Sequence, residues 1–272
     1  MSRGMCFSLS RTGLACVASA ALLASSRASA AITASTVVDY QPGSPTTTFN
    51  NPSAALGAPV GDTTFGALTP FNPPFKNDQI VIVGAGGHLT LRLSAPVPSG
   101  GAGPELGVFV NNGIVDVSED GSGKAGSPPA TFSALPAALV SVSADGQNFV
   151  PLGAQPLVLS NPTNFYTDVT IDNYSAPLGT KAADLSKPFT GSLSSFGGLT
   201  YPQIVQLLDG SGGGNWVDVT PAGLGSVEYV RFDVPAGGSQ RLVLDAVTAL
   251  PEPGTAALLL PALVLLSRRR RR

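Results

Sequence analysis

Histidine and cysteine are almost missing from this chain of 272 residues, which holds one histidine, His88, and two cysteines, Cys6 and Cys16. A zinc centre built from several imidazoles and thiolates is thereby excluded. Both cysteines fall within a segment read below as a removable leader, so the remaining domain holds no disulfide although an exported compartment would permit one. Its stability must come from packing or from a bound metal. Tryptophan is single as well, Trp216. No internal repeat is visible, and Tyr201 to Leu208 is the one stretch that reads as a short helix. No Gly-x-Ser-x-Gly elbow accompanies His88, which leaves a hydrolase triad without its nucleophile turn. His88 reads as a turn or strand-start residue.

The two ends differ from the middle. The first thirty residues carry Arg3 and Arg11, an apolar run from Leu14 to Leu23, and small residues around Ala28-Ser29-Ala30. That order is the signal-peptide pattern, with Ala28 and Ala30 as the small-x-small pair before the cut. Lipid attachment at Cys16 would need a large apolar residue three positions earlier, where Gly13 stands. At the other end Pro251-Glu252-Pro253 is followed by an apolar segment, 255–266, and by five arginines, Arg268, Arg269, Arg270, Arg271 and Arg272. As a helix this segment would reach about 18 Å at ~1.5 Å per residue, against a hydrocarbon core of about 30 Å. Pro261 interrupts it, and the arginines favour the cytoplasmic face. It reads as a transient stop rather than a permanent anchor.

Pro-Glu-Pro, short apolar helix and arginine cluster, in that order, resemble the PEP-CTERM sorting signal. The resemblance implies a bacterial protein that is exported, held in the inner membrane, cut near Pro251-Glu252-Pro253 by an exosortase-type protease, and released to the envelope, surface or extracellular polysaccharide. The expected partners are signal peptidase and that protease, with extracellular polysaccharide as a further candidate. The expected division is 1–30 signal peptide, 31–249 folded domain and 250–272 sorting signal.

Removing the ends changes the charge. The whole chain is −2, but seven basic and sixteen acidic residues remain between 31 and 249, a net −9. A basic surface for nucleic acid is disfavoured. Divalent cations or simple solubility suit such a domain better. About 220 residues are ample for one domain with a real core.

Within the domain, glycine and proline punctuate short β-branched or alternating runs. The clearest are 79–83, 89–93, 106–110, 138–143, 165–171, 216–219, 227–234 and 241–247. In Leu89-Thr90-Leu91-Arg92-Leu93 the leucines share one face, and in Val140-Ser141-Val142-Ser143 the valines do. The fold class is therefore all-β, a single β-sandwich of jelly-roll type. Asp145-Gly146 supplies a turn, and 121–129 and 175–198 read as loops. Ile80 to Gly87 imitates a dinucleotide-binding strand and glycine turn. Its third glycine position holds Leu89, and a strand rather than a helix follows, so it reads as a hairpin.

Candidate chemistry is sparse. Asp116-Val117-Ser118-Glu119-Asp120-Gly121 matches the first half of a calcium loop, but its twelfth position is Ser127, which supplies no bidentate carboxylate. The two readings are an exposed acidic turn and a calcium site using Asp116 and Asp120. Trp216 stands in Asn215-Trp216-Val217-Asp218-Val219, where it can serve as a sugar platform or as core. Paired carboxylates for glycoside cleavage cannot be recognised from spacing.

Several pieces together resemble a jelly-roll domain recurring in PEP-CTERM surface proteins: Ala55 to Pro59, Gly84 to Leu93, Gly103 to Asn111, Val140 to Phe149, Gly213 to Asp218, Val230 to Asp233 and Leu244 to Val247. The resemblance implies a discoidin-like or galactose-binding-like sandwich, with Glu105, Asn111 and Asp245 as cation or structural polar residues. Val110 stands where that pattern tends to carry a second acid. The expectation is a non-enzymatic surface or matrix protein with a binding or structural role. The alternative is a carbohydrate-binding or glycoside-cleaving sandwich.

Overall fold

Short apolar runs broken by glycine and proline favour strands, and the described residues form ten of them. A computed structural model describes residues 31–101, 103–132, 136–169 and 176–250. The expected leader with Ala28 and Ala30, its signal helix, and the sorting segment from Pro251 to Arg272 lie outside the described residues. The strands are β1 (Ile32–Gln41), β2 (Val81–Val83), β3 (His88–Pro98), β4 (Leu106–Val110), β5 (Ala137–Ser143), β6 (Val150–Pro151), β7 (Leu157–Val158), β8 (Asn215–Val217), β9 (Ser226–Asp233) and β10 (Leu242–Ala249). One helix, α1 (Tyr201–Leu208), joins them.

All pairings are antiparallel, in the order β6-β5-β9-β3-β1-β10-β4-β8, with β2 added to β10 and β7 to β5. Strand β1 is the fold line. Its Ile32 and Thr33 pair with Ala249 and Thr248 of β10, while Ala34 to Gln41 pair with β3 through two register shifts. Such bulges bend a strand and increase its twist, which lets the sheet double back on itself. The inner faces then meet: Leu89, Leu91 and Leu93 of β3, Val140 and Val142 of β5, and Val230 and Phe232 of β9 share one core with Val108, Val110, Leu244 and Val247. This is an all-β sandwich. The alternation read in β3 and β5 is the alternation that fills its core.

A second core lies on the other face of the β4–β10 layer. Gly107 and Phe109 alternate with the inward residues of β4, and Phe109 is fully buried. Gly214 adopts φ +74, and a Cβ there would meet the Phe109 ring at 2.7 Å. The Thr248 hydroxyl donates to the Leu185 carbonyl. The described parts of the 159–214 excursion, 159–169 and 176–214, thus cover this face, and α1 anchors them. Gln203 Oε1 accepts from the Thr200 N–H at 2.9 Å at the helix start, and Asp209 closes the end at φ 48. Tyr201, Ile204 and Leu208 turn inward to Phe71, Ile114 and Phe196.

Two sequence expectations fail. Residues 165–169, the described part of the 165–171 run, form no strand and make a single bridge, Tyr166 to Ala182. Asp168 turns aside there to bind the Thr180 hydroxyl and amide and the Lys181 amide. Residues 80–93 are no hairpin: β2 pairs with β10, whereas β3 pairs with β1 and β9. The glycines between them serve a close crossing. A Cβ at Gly84 would lie 2.7 Å from the Ser44 carbonyl oxygen, and one at Gly87 2.5 Å from that of Gln41. His88 does start a strand, with Nε2 2.7 Å from Asp39 Oδ2. Among the described residues no helix is long and apolar enough to cross a membrane.

Candidate functional site

Trp216 owes its place to glycine on two sides. It sits in β8, which pairs with β4 so that Trp216 is opposite Gly107. A Cβ at Gly107 would stand 3.0 Å from Trp216 Cζ2, so only a bare backbone lets the ring lie there. The indole N–H donates to the Gly213 carbonyl at 3.0 Å, and one part of the ring packs on the α1 core. The ring also lines a cleft of about 530 Å³ with Leu157, Asn161, Thr190, Ser192 and Asp218.

An asparagine latch builds the floor of this cleft. The Asn161 N–H donates to Asn215 Oδ1 at 2.9 Å, and Asn215 Nδ2 donates to the Val108 and Asn161 carbonyls. Asn161 Nδ2 donates to the Gly191 carbonyl at 2.9 Å, which leaves Oδ1 buried with no partner. A buried acceptor left open costs about 1–3 kcal/mol. Neither asparagine stood out in the sequence, because the two are 54 positions apart and asparagine is common in turns.

The expected site residues scatter. Glu105 comes nearest to Trp216, but its carboxylate is a fastener: Oε2 accepts from the Val219 N–H at 3.1 Å and Oε1 from the Gly101 N–H at 3.1 Å. The Thr220 hydroxyl adds a longer bond of 3.4 Å. Asp218, on the cleft wall, has its pKa lowered by the Thr220 hydroxyl and amide, with a smaller contribution from Glu105. Asn111 lies elsewhere, at the end of β4, where its Nδ2 donates to the Pro74 carbonyl.

The acidic turn is tied up by its own backbone. Asp116 Oδ1 accepts from the Ser118 and Lys124 N–H groups, both at 2.8 Å, and Oδ2 from the Ser118 hydroxyl at 2.9 Å and the Gly123 N–H at 3.1 Å. Burial raises its pKa, but these bonds together outweigh burial and hold it below the usual range. Asp120 Oδ1 accepts from the Ser122 N–H at 3.1 Å. Among the described residues no three acidic, histidine or cysteine side chains gather into a group able to hold a metal.

Asp245 is the outlier. It sits in β10 at a register shift against β4, between Leu244 and Ala246, and is 1% exposed. Neither carboxylate oxygen has a hydrogen-bond partner among the described residues, and the Val60 backbone N–H is near enough to favour the charged form somewhat. Burial pushes this carboxyl well above the usual carboxylate range. No family model matches the chain, and no curated protein matches it.

Proposed function

We propose that this protein is an exported binding protein of the cell surface or extracellular matrix, sorted through a PEP-CTERM-like tail, and that the Trp216 cleft is its saccharide site. The observation that carries the site is a coincidence of two groups. Trp216 and Asn161 line the same cleft. A pyranose offers C–H faces for an aromatic ring and hydroxyls for polar lining side chains. The cleft's size suits one or two sugar rings, within the ordinary range of ligand pockets. Thr190, Ser192 and Asp218 add hydroxyl and carboxylate partners around it.

Binding is favoured over cleavage by the carboxylates. Glycoside hydrolysis needs two, about 5–9.5 Å apart and facing the bond. Asp218 is the one acid among the described lining residues, and the oxygens of nearby Glu105 accept from Gly101, Val219 and Thr220. The proposed sorting route agrees with this reading, since it would bring the cleft to extracellular polysaccharide.

The test is affinity electrophoresis and calorimetry against a panel of neutral and acidic polysaccharides, with wild type, Trp216→Phe and Asn161→Asp. Retardation by at least one polysaccharide, weakened in both folded variants, is the expected result. No retardation by any member of the panel would sink the saccharide site. The sorting claim is tested by cell fractionation with terminal mass determination. An intact Arg268 to Arg272 end on surface-located protein would contradict processing.

A further inference from the structure

Exposed phenylalanine is uncommon on a monomeric surface, where burying such a ring gains about 1.5–3 kcal/mol. Three described phenylalanines are exposed, Phe65, Phe75 and Phe132, and all three line a single pocket of about 540 Å³, with Arg241 and Asn111. The pocket is separate from the Trp216 cleft, with which it shares no lining residue.

Each ring is held in place. Phe65 rides the tip of a tight turn in which the Thr63 N–H donates to the Gly66 carbonyl and the Thr64 N–H to Asp62 Oδ1. That turn holds Thr64 at φ 78, a region that β-branched residues rarely occupy. Phe75 meets the edge of Phe49 at a centroid distance of 6.0 Å. Phe132 lies over Gly113, where a Cβ would stand 2.6 Å from the ring and 2.7 Å from Pro73. Only glycine lets that ring settle so close to the backbone.

The charge at the mouth identifies the occupant. The domain is strongly acidic, and two of its three arginines already hold carboxylates: Arg92 binds Glu228 and Arg231 binds Asp233. Arg241 makes no ion pair with any described residue. An unpaired guanidinium beside three phenyl rings is complementary to a flat apolar body with an anionic head. We infer that this pocket binds a small-molecule aryl carboxylate, its ring among Phe65, Phe75 and Phe132 and its carboxylate on Arg241. The guanidinium fork matches a carboxylate through two parallel hydrogen bonds, and edge-to-face contacts suit a planar ring. Asn111, whose Nδ2 is held by the Pro74 carbonyl, closes the far wall.

The probe pair is trans-cinnamate and cinnamyl alcohol, which share a ring and differ in charge, titrated into the full domain by NMR chemical-shift perturbation. Cinnamate should bind saturably and shift Arg241 and the three phenylalanines. Arg241→Gln should weaken cinnamate by about 10- to 100-fold, the effect of losing a charge-assisted hydrogen bond, and leave cinnamyl alcohol unchanged. Phe132→Ala should weaken both. These positions are exposed, so the variants are expected to fold. Equal affinity for the acid and the alcohol, or cinnamate binding that Arg241→Gln does not change, would overturn the inference. So would sedimentation showing a dimer that Phe75→Ser dissolves, because the face would then belong to a second copy of the chain.

Discussion

Removing the buried carboxyl of Asp245 should change how stability depends on pH, in a way that no surface acid can imitate. The group is 1% exposed, and neither oxygen has a hydrogen-bond partner among the described residues. Keeping it ionised in the fold would cost several kcal/mol. It is held protonated instead, with its pKa raised by burial. In the unfolded chain the same group ionises near 3.9. Between those two pKa values the native state binds one more proton than the unfolded state, so stability falls as pH rises. The slope approaches about 1.4 kcal/mol per pH unit. Below the unfolded pKa both states are protonated, and this contribution is fully present. Urea unfolding of wild type from pH 4.5 to 8 should therefore show a decline that Asp245→Asn lacks, the variant gaining on wild type as pH increases. Carboxyl carbon shifts provide a second reading that needs no variant, since the Asp245 resonance should titrate above the ordinary carboxylate range. Parallel stability profiles for the two proteins, or an Asp245 resonance that titrates within the ordinary carboxylate range, would refute the argument.

Other expectations follow from single contacts. Leu91 is fully buried at the centre of the sandwich core, so Leu91→Ala should cost about 2–5 kcal/mol in equilibrium unfolding; a loss under 1 kcal/mol would place the core elsewhere. Asp116 spends both oxygens on its own loop, so millimolar calcium should leave the melting temperature unchanged while Asp116→Ala lowers it with or without calcium. A rise on adding calcium would show that the loop reorganises around a cation, because a bound ligand must stabilise the folded state. The Thr180 hydroxyl and amide and the Lys181 amide hold the Asp168 carboxyl at about 2. Thr180→Val should return its NMR titration toward the ordinary carboxylate range, and an unmoved midpoint would exclude the hydroxyl as the principal cause.

Local pattern made part of this fold legible. β4 spans 106–110 and α1 spans 201–208 as the sequence suggested, because each is a short run with clear period and clear boundaries. β1 escaped notice although it is the longest partner of β3. Its sequence, Ile-Thr-Ala-Ser-Thr-Val-Val-Asp-Tyr-Gln, has its period of two broken by two register shifts. The failed hairpin has the opposite cause. Gly84 to Gly87 reads locally as a turn, but its need for glycine arises from residues 41–44, which no local pattern could indicate. In the cleft, Trp216 was visible as a rare residue in an alternating run. Asn161 and Asn215 were not, since their importance lies in each other and in one unpaired oxygen.

The fold line at β1 also decides where the two ends of the domain lie. Val217, Leu106, Ala249 and Ile32 stand side by side across four strands. Both ends of the domain therefore leave from one pole, and Trp216 is next to that row. Leu242, which follows Arg241, is at the opposite end of β10, about 24 Å away at the usual strand rise. The Trp216 cleft therefore lies toward the pole where the described ends of the domain leave, and the Arg241 pocket toward the other, so a support at that pole would crowd the first and leave the second open.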